Sequence, residues 1–396
     1  MRRITHCTKF VFFILFFHFG LNPLATKAQP KYQIGHIDEV IDKFQLFVEE
    51  TLLEWNAPGA AVAIVSGDSI VFMRGFGVRE VGKPQPIDVN TVFRLASVSK
   101  GFASVLTGML VQQNLLRWDD PVKKYLPSFA LHDSQATRNL TIRHVLSHTS
   151  GLPPHAFTNL LEEEVSYSEI LAQLQGVPSA FPVGQMYAYQ NVLYSIIGDV
   201  VFSVTGQPYE DLVEQYIFEP LGMHQASLGK VSFLMSANRA EPHTNAGFDW
   251  IVSDVEDCYY KVPPSAGVNA SISDMAKWLR AMMGGNPDIL SSEVISKVTT
   301  PFAATPRDLY KYRWRDHLRK AHYGLGWRIY MYNGVKIVYH GGWVKGFRAE
   351  IAFMPEQKVG IVALINSESK MANLFLPTFF DLYMNVPIKE AAHHTQ

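Results

Sequence analysis

The apolar residues of this chain follow two kinds of pattern, and the two kinds are segregated. Near the start, Ile37, Val40, Ile41, Phe44, Val48 and Leu52 recur at the spacing of a helix that buries one face, which predicts a helix over His36–Glu54. Two short apolar runs follow, Ala60–Val65 and Ser69–Gly75, on either side of Ser66-Gly67-Asp68, and predict a β-hairpin. Far downstream, Val335–Tyr339, Arg348–Phe353 and Gly360–Asn366 have strand character, the last two joined by the turn-like Met354-Pro355-Glu356-Gln357-Lys358. Lys370–Met384 predicts a terminal helix with Pro377 as a kink point. Between these ends the period is helical, over Gly101–Leu116, Ile142–Ser147, Ser166–Leu174, Asn191–Val204, Tyr209–Phe218 and Ile272–Met283, with Pro- and Gly-containing loops between them. Strands at both ends with helices between them predict an α+β fold. One antiparallel sheet flanked by helices is built from the two termini, residues 29–96 and 305–396. A mainly helical region, 97–304, is inserted between them, and the cleft at their junction is the expected ligand site.

Ahead of the first helix, Arg2, Arg3 and Lys9 precede an apolar run from Phe10 to Phe17, and Ala25-Thr26-Lys27-Ala28 precedes Gln29. A basic start, a short apolar stretch and small residues before a cut predict a secretory signal peptide over residues 1–28, and hence a periplasmic or secreted protein. The run is shorter than the roughly 20 residues a bilayer span needs, and no other segment has 18 consecutive apolar residues, so no membrane span is expected in the mature chain. Hydrophobic residues make up 47% and charged residues 18% of the chain, which excludes a disordered protein. The 35 Lys+Arg against 36 Asp+Glu leave no electrostatic footprint for nucleic acid. Removing the leader takes away Cys7 and leaves Cys258 alone, so the mature chain has no intramolecular disulfide to rely on.

The sequence holds no G-x-S-x-G and no H-E-x-x-H, which argues against an α/β-hydrolase elbow and a zinc hydrolase. Ser-x-x-Lys occurs three times, at Ser97/Lys100, Ser227/Lys230 and Ser367/Lys370. Only Ser97 directly precedes a strongly periodic helix (Phe102, Val105, Leu106, Met109, Leu110), where residues three apart share a face. A serine hydroxyl is a poor nucleophile until a base takes its proton. Lysine is such a base only when burial or nearby cations lower its pKa. Against this stands a helix-capping serine followed by a solvent-facing lysine.

With its neighbours, Phe93-Arg94-Leu95-Ala96-Ser97-Val98-Ser99-Lys100 resembles the nucleophile motif of class C β-lactamases and related penicillin-binding serine hydrolases. Leu146-Ser147-His148-Thr149-Ser150-Gly151-Leu152, Tyr189-Gln190-Asn191, Gly267-Val268-Asn269-Ala270-Ser271 through Asp274-Met275-Ala276, Tyr323-Gly324-Leu325-Gly326-Trp327 and His340-Gly341-Gly342 resemble further motifs of that family, in its order. The resemblance covers residues 37–385 as a single catalytic unit and implies the serine penicillin-recognising, class C β-lactamase-like fold.

It also implies roles. Ser97 is the acylated nucleophile, Lys100 activates it, and Tyr189 exchanges protons with Ser97 and the leaving group. Either Lys100 or Tyr189 is the base. Asn191 hydrogen-bonds Lys100 or the substrate amide, or else caps the helix that follows it. The oxyanion hole is the backbone N–H of Ser97 and of Trp343, next to Gly341 and Gly342. No metal or organic cofactor is implied. Small-molecule or peptide substrates are: D-amino-acid peptides, esters or amides, and β-lactams. The activity expected is therefore that of an exported β-lactamase-, D-alanyl-carboxypeptidase- or esterase-like serine hydrolase, or alternatively a penicillin-binding sensor that does not turn over. Many relatives carry Lys-Thr-Gly where this chain has His340-Gly341-Gly342. An imidazole of ordinary pKa, near 6.5, is only about one quarter protonated at pH 7, so capture of an anionic substrate is expected to be weaker here. His148 is expected to hydrogen-bond backbone rather than act as a base. Arg348 is a possible replacement charge, or a solvent-facing residue of its strand.

Overall fold

The structure, a computed structural model, describes residues 34–163, 165–247, 249–311 and 313–386. The leader expected over residues 1–28 lies outside the described residues. The hydrophobic patterns at the two ends converge on one eight-stranded sheet. Its strands, in chain order, are β1 (Gly59–Ser66), β2 (Ser69–Gly77), β3 (Ala303–Ala304), β4 (Leu318–Tyr323), β5 (Arg328–Tyr332), β6 (Val335–Val344), β7 (Phe347–Met354) and β8 (Val359–Ile365). They lie in the order β2-β1-β8-β7-β6-β5-β4-β3, every pair antiparallel. The hairpin from the N-terminal end is zipped onto the last strand, with Ala60 opposite Ile365 and Ser66 opposite Val359.

β1 is an unbroken apolar run because both of its faces are covered. Ala61, Ala63 and Val65 join the core that holds Phe102 and Val105 of the helix Ser99–Gln112 and Trp278 of the helix Ile272–Met282. Ala60, Val62 and Ile64 join the core that holds Phe44 and Val48 of the helix Ile37–Glu54 and Phe375 and Phe379 of the helix Ala372–Tyr383. Alternate residues of a strand point to opposite faces, so one strand feeds two cores and the molecule is layered helix–sheet–helix. Pro377 sits inside the terminal helix, which continues past it to Tyr383.

Three features depart from the sequence expectation. Leu318–Tyr323 and Arg328–Tyr332 are strands, where only a short motif was singled out. The helical middle carries strands: Val268–Ser271 and Ser227–Leu228 form a small sheet with Val92–Arg94 just ahead of it, which ties the start of the Ser97 segment to the helix Ile272–Met282, and His243–Ala246 pairs with Asp249–Val252. β6 does not stop at Tyr339 but runs on through His340, Gly341 and Gly342 to Val344. β5 pairs with β6 only as far as Tyr339, so beyond that residue β6 has a free edge toward the helical region. Among the described residues no helix is long and apolar enough to cross a membrane.

Candidate active site

Ser97 lies in a single 3-10 turn, Ala96–Val98, that leads directly into the helix Ser99–Gln112. Ala96 holds φ at 49°, a left-handed conformation that a side chain disfavours. Tertiary contacts hold it there. A Cβ on Gly342 would come within 2.2 Å of Leu95 O and 3.1 Å of Ser97 N, so only a glycine lets the free edge of β6 lie this close to the Ser97 turn.

Lys100 is fully buried, which excludes the solvent-facing lysine that a capping serine would have allowed. Its Nζ lies 3.4 Å from Ser97 Oγ, 2.8 Å from Asn191 Oδ1 and 3.1 Å from the carbonyl oxygen of Ser265. The aromatic faces of Tyr189 and Tyr194 flank it at 4.7 and 5.3 Å from their centroids. Burial, and after it the Arg328 guanidinium, hold the amine well below the ordinary lysine range. A neutral amine has two N–H donors and one lone pair. Asn191 and Ser265 accept two hydrogens of Lys100 Nζ, so in the neutral form the lone pair faces Ser97 Oγ, whereas the ammonium form donates its third hydrogen there. Tyr189 Oη donates to Ser97 Oγ at 2.8 Å, and burial pushes that phenol up to about 12. Asn191 does not cap the following helix: its side chain is taken by Lys100, while its backbone carbonyl accepts from Ser195 Oγ and Ser265 Oγ. No hydrogen bond joins Ser227 to Lys230 or Ser367 to Lys370 among the described residues.

His340 is buried, with Nε2 3.0 Å from Tyr323 Oη and Nδ1 3.0 Å from the carbonyl oxygen of Gly341. Burial, then Arg328 and Lys100, hold its pKa well below the ordinary imidazole value. The partial charge expected of an unperturbed histidine is therefore absent: His340 is a neutral imidazole, with Nδ1–H donating to Gly341 and Nε2 accepting from Tyr323. His148 meets its expectation. Its Nδ1 accepts from the Gln190 backbone N–H at 3.1 Å, and its ring packs against Tyr189 at 4.4 Å. Trp343 presents an indole that is 63% exposed, with the Arg348 guanidinium over its ring at 5.6 Å. Arg348 does not point into solvent; it donates to Glu350 and to Asn373 Oδ1, at 3.2 and 2.9 Å.

Arg328 escaped the sequence reading. It is largely buried, paired with Asp308, and set beside the rings of Tyr187, Tyr189 and Tyr323. The available signal was one charge at the head of the otherwise apolar and aromatic strand Arg328–Tyr332. Ser97, Tyr189, Asn191, His340, Trp343, Arg328 and Arg348 line one cleft of about 1320 Å³, with His155, Met186, Trp250, Tyr259 and Lys311, while Lys100 and His148 lie buried behind its wall.

The chain spans about three fifths of the length of the curated relatives it matches. It is similar to Unguisins hydrolase ungD of Aspergillus violaceofuscus, at 30% identity over 82% of this chain and 61% of the relative. It is similar to Protein flp of Staphylococcus aureus strain MW2, at 23% identity over 82% of this chain and 62% of the relative. The octameric penicillin-binding protein homologue from Pyrococcus abyssi superposes with a TM-score of 0.78 at 24% identity, over 87% of this chain and 78% of that one. The penicillin binding protein from Bacillus halodurans superposes with a TM-score of 0.68 at 23% identity, over 84% and 99%. These structures share the antiparallel sheet and helical arrangement described above. With the sequence model of the Beta-lactamase family matching residues 44–377, the chain belongs to that family.

Proposed function

We propose that this chain is a serine hydrolase that opens ester or amide bonds through an acyl-enzyme on Ser97. The observation that carries this reading is the closed network at Lys100: a buried amine whose Nζ lies 2.8 Å from Asn191 Oδ1, 3.1 Å from the Ser265 carbonyl oxygen and 3.4 Å from Ser97 Oγ, in surroundings that favour its neutral form. In the attack, Ser97 Oγ bonds to the substrate carbonyl carbon and its proton passes to Lys100. The oxyanion rests on the backbone N–H groups of Ser97 and Trp343, a kind of donor worth about 2.7–4 kcal/mol each in the transition state. When the bond to the leaving group breaks, Tyr189 protonates the departing atom and recovers a proton from Lys100. Water then attacks the acyl carbon and gives its proton to the same amine, and as the bond from the acyl carbon to Ser97 Oγ breaks that proton passes from Lys100 to Ser97 Oγ, restoring the hydroxyl and the neutral amine. A phenol held near 12 stays protonated at neutral pH, which favours Tyr189 as the acid and Lys100 as the base.

The name of the Aspergillus relative, a hydrolase, supports turnover over a non-hydrolysing sensor. The cleft exceeds the 300–1,000 Å³ or so typical of small-ligand pockets, which supports a peptide-sized or similarly extended substrate. Export follows from the sequence of residues 1–28 and is checked by N-terminal sequencing of the protein recovered outside the cytoplasm. Turnover is checked with a chromogenic ester: Ser97→Ala should lower kcat/KM by at least about 10⁴-fold. Undiminished turnover would remove Ser97 from the mechanism. Intact-mass measurement with a penicillin separates the two behaviours: a lasting adduct without product marks the sensor, and free enzyme with product marks the hydrolase.

A further inference from the structure

One wall of the cleft carries a charge imbalance that the acyl-transfer chemistry does not use. The turn Pro306–Tyr310 brings Asp308 against Arg328 of β5, and these two form an ion pair. On β7, Glu350 pairs with Arg348 at 3.2 Å. Each carboxylate on this wall is thus committed to an arginine. Lys311, which follows the turn and lines the same cleft as Ser97, is the third cation. Its Nζ sits 5.0 Å from the centroid of the Tyr339 ring. It has no carboxylate within 4.0 Å and no hydrogen-bond acceptor among the described residues. Arg307 of the same turn also lines the cleft but is exposed; among the buried and half-buried groups of this wall three cations face two anions, so one positive charge is left over in a partly desolvated place. A half-buried ammonium without a counterion is a standing cost to the fold. It also binds an arriving anion more strongly than a fully hydrated surface lysine would. The strand that carries the site's glycines cannot provide this charge, because both nitrogens of His340 are engaged and the ring is neutral.

We propose that Lys311 is the anion-recognition residue of this cleft, its ammonium receiving the carboxylate of a monoanionic substrate whose scissile carbonyl lies at Ser97. The inference rests on the serine hydrolase reading and sharpens it to a charge class of substrate. One uncompensated positive charge among the desolvated groups of the wall matches a monocarboxylate. Burial, and then Arg328, lower the Lys311 amine to about 8. The groups facing it are Arg328 from β5, Asp308 from the turn, Arg348 and Glu350 from β7, and Tyr339 from β6. The carboxylate preference should therefore be present at pH 7 and fade above pH 8.

The test compares the 4-nitrophenyl monoester of adipic acid with the same compound as its methyl ester, read as a ratio of kcat/KM so that any general loss of activity cancels. Wild type should favour the carboxylate about tenfold at pH 7, equivalent to about 1.4 kcal/mol. Lys311→Met should bring the ratio near one at every pH. Lys311→Arg should hold the preference at pH 9, where wild type loses it, because guanidinium stays charged. A ratio unchanged in Lys311→Met overturns the proposal. A second measurement does not depend on turnover: calorimetric binding of monomethyl adipate to Ser97→Ala, with and without Lys311→Met. At least fivefold weaker binding in the double variant supports the anion site, and equal binding overturns it. If Ser97→Ala still hydrolyses both esters, the nucleophile assignment fails while the calorimetry judges Lys311 on its own.

Discussion

Lys100 acts through what surrounds it. An amine in water holds its proton to beyond pH 10 and is no base for a serine at neutral pH. Burial and then the Arg328 charge lower its hold on that proton, and Asn191 and Ser265 orient the amine toward Ser97. The direction of the shift sets the pH profile. The proposed mechanism needs the neutral amine, so it predicts that kcat/KM rises with pH as Lys100 deprotonates. With its pKa well below the lysine range, that rise lies well short of pH 10. Tyr189 must keep its proton, so activity declines again only as pH approaches about 12. A profile still climbing through pH 10 to 12 would instead make tyrosinate the base. Lys100→Met should cost about 10²–10⁴-fold in kcat. Ser97 and Lys100 were legible in the sequence because a helix places residues three apart on one face. Tyr189 and Asn191 were legible only as a motif, since nothing local says which distant loop folds onto the helix. Arg328, Asp308 and Lys311 were not legible. Each is a single charge in an unremarkable segment, and their meaning lies in a pairing across about 20 residues of chain and two strands.

At the scale of elements, the site depends on β6 continuing past its pairing with β5. Val335–Tyr339 is apolar and reads as a strand, but the next three residues, His340-Gly341-Gly342, have no strand propensity. They are held extended by β7, with Gly341 opposite Glu350 and Trp343 opposite Arg348. Tertiary pairing outweighs local preference here, which is why the strand outruns its sequence signal. β4 and β5 were missed for the same kind of reason. Leu318–Tyr323 alternates charge and apolarity too weakly to stand out, and it is a strand because β5 pairs with it. Gly342 marks the closest approach of sheet and nucleophile turn. Gly342→Ala should push β6 away from Ser97 and take the Trp343 N–H with it. The expected outcome is a fall of about 10²–10³ in kcat with a smaller change in KM. Overpacking of about 1–3 kcal/mol should also appear in denaturant unfolding. An alanine variant that keeps full kcat would mean that this edge of β6 does not hold the oxyanion.

For the molecule as a whole, the packing that creates the site also makes the fold sensitive to acid. His148 and His340 are both buried and both held well below the ordinary imidazole value, chiefly by burial. A folded histidine that refuses a proton contributes its full stability above about pH 6.5. That stability is lost as pH falls from there toward the depressed folded value, because the unfolded chain takes up the proton first. Each such histidine therefore destabilises the fold progressively between pH 7.5 and 5.5. Asp381 works in the opposite sense. Burial raises its carboxyl to about 6, so its contribution is favourable at low pH and is lost as pH rises from its ordinary 3.8 through about 6. The sum therefore mixes signs, and a single variant separates them. In His148→Asn the amide oxygen takes the place of Nδ1 as acceptor for the Gln190 N–H, while the titrating ring is gone. The difference in unfolding free energy between wild type and His148→Asn should shift against wild type on going from pH 7.5 to 5.5, by on the order of 1 kcal/mol. Urea unfolding at the two pH values measures it. A difference that does not move with pH would mean that His148 accepts a proton as readily folded as unfolded. The interior around Lys100 would then be wetter than its burial implies, and the uncharged amine on which the proposed chemistry rests would lose its physical basis.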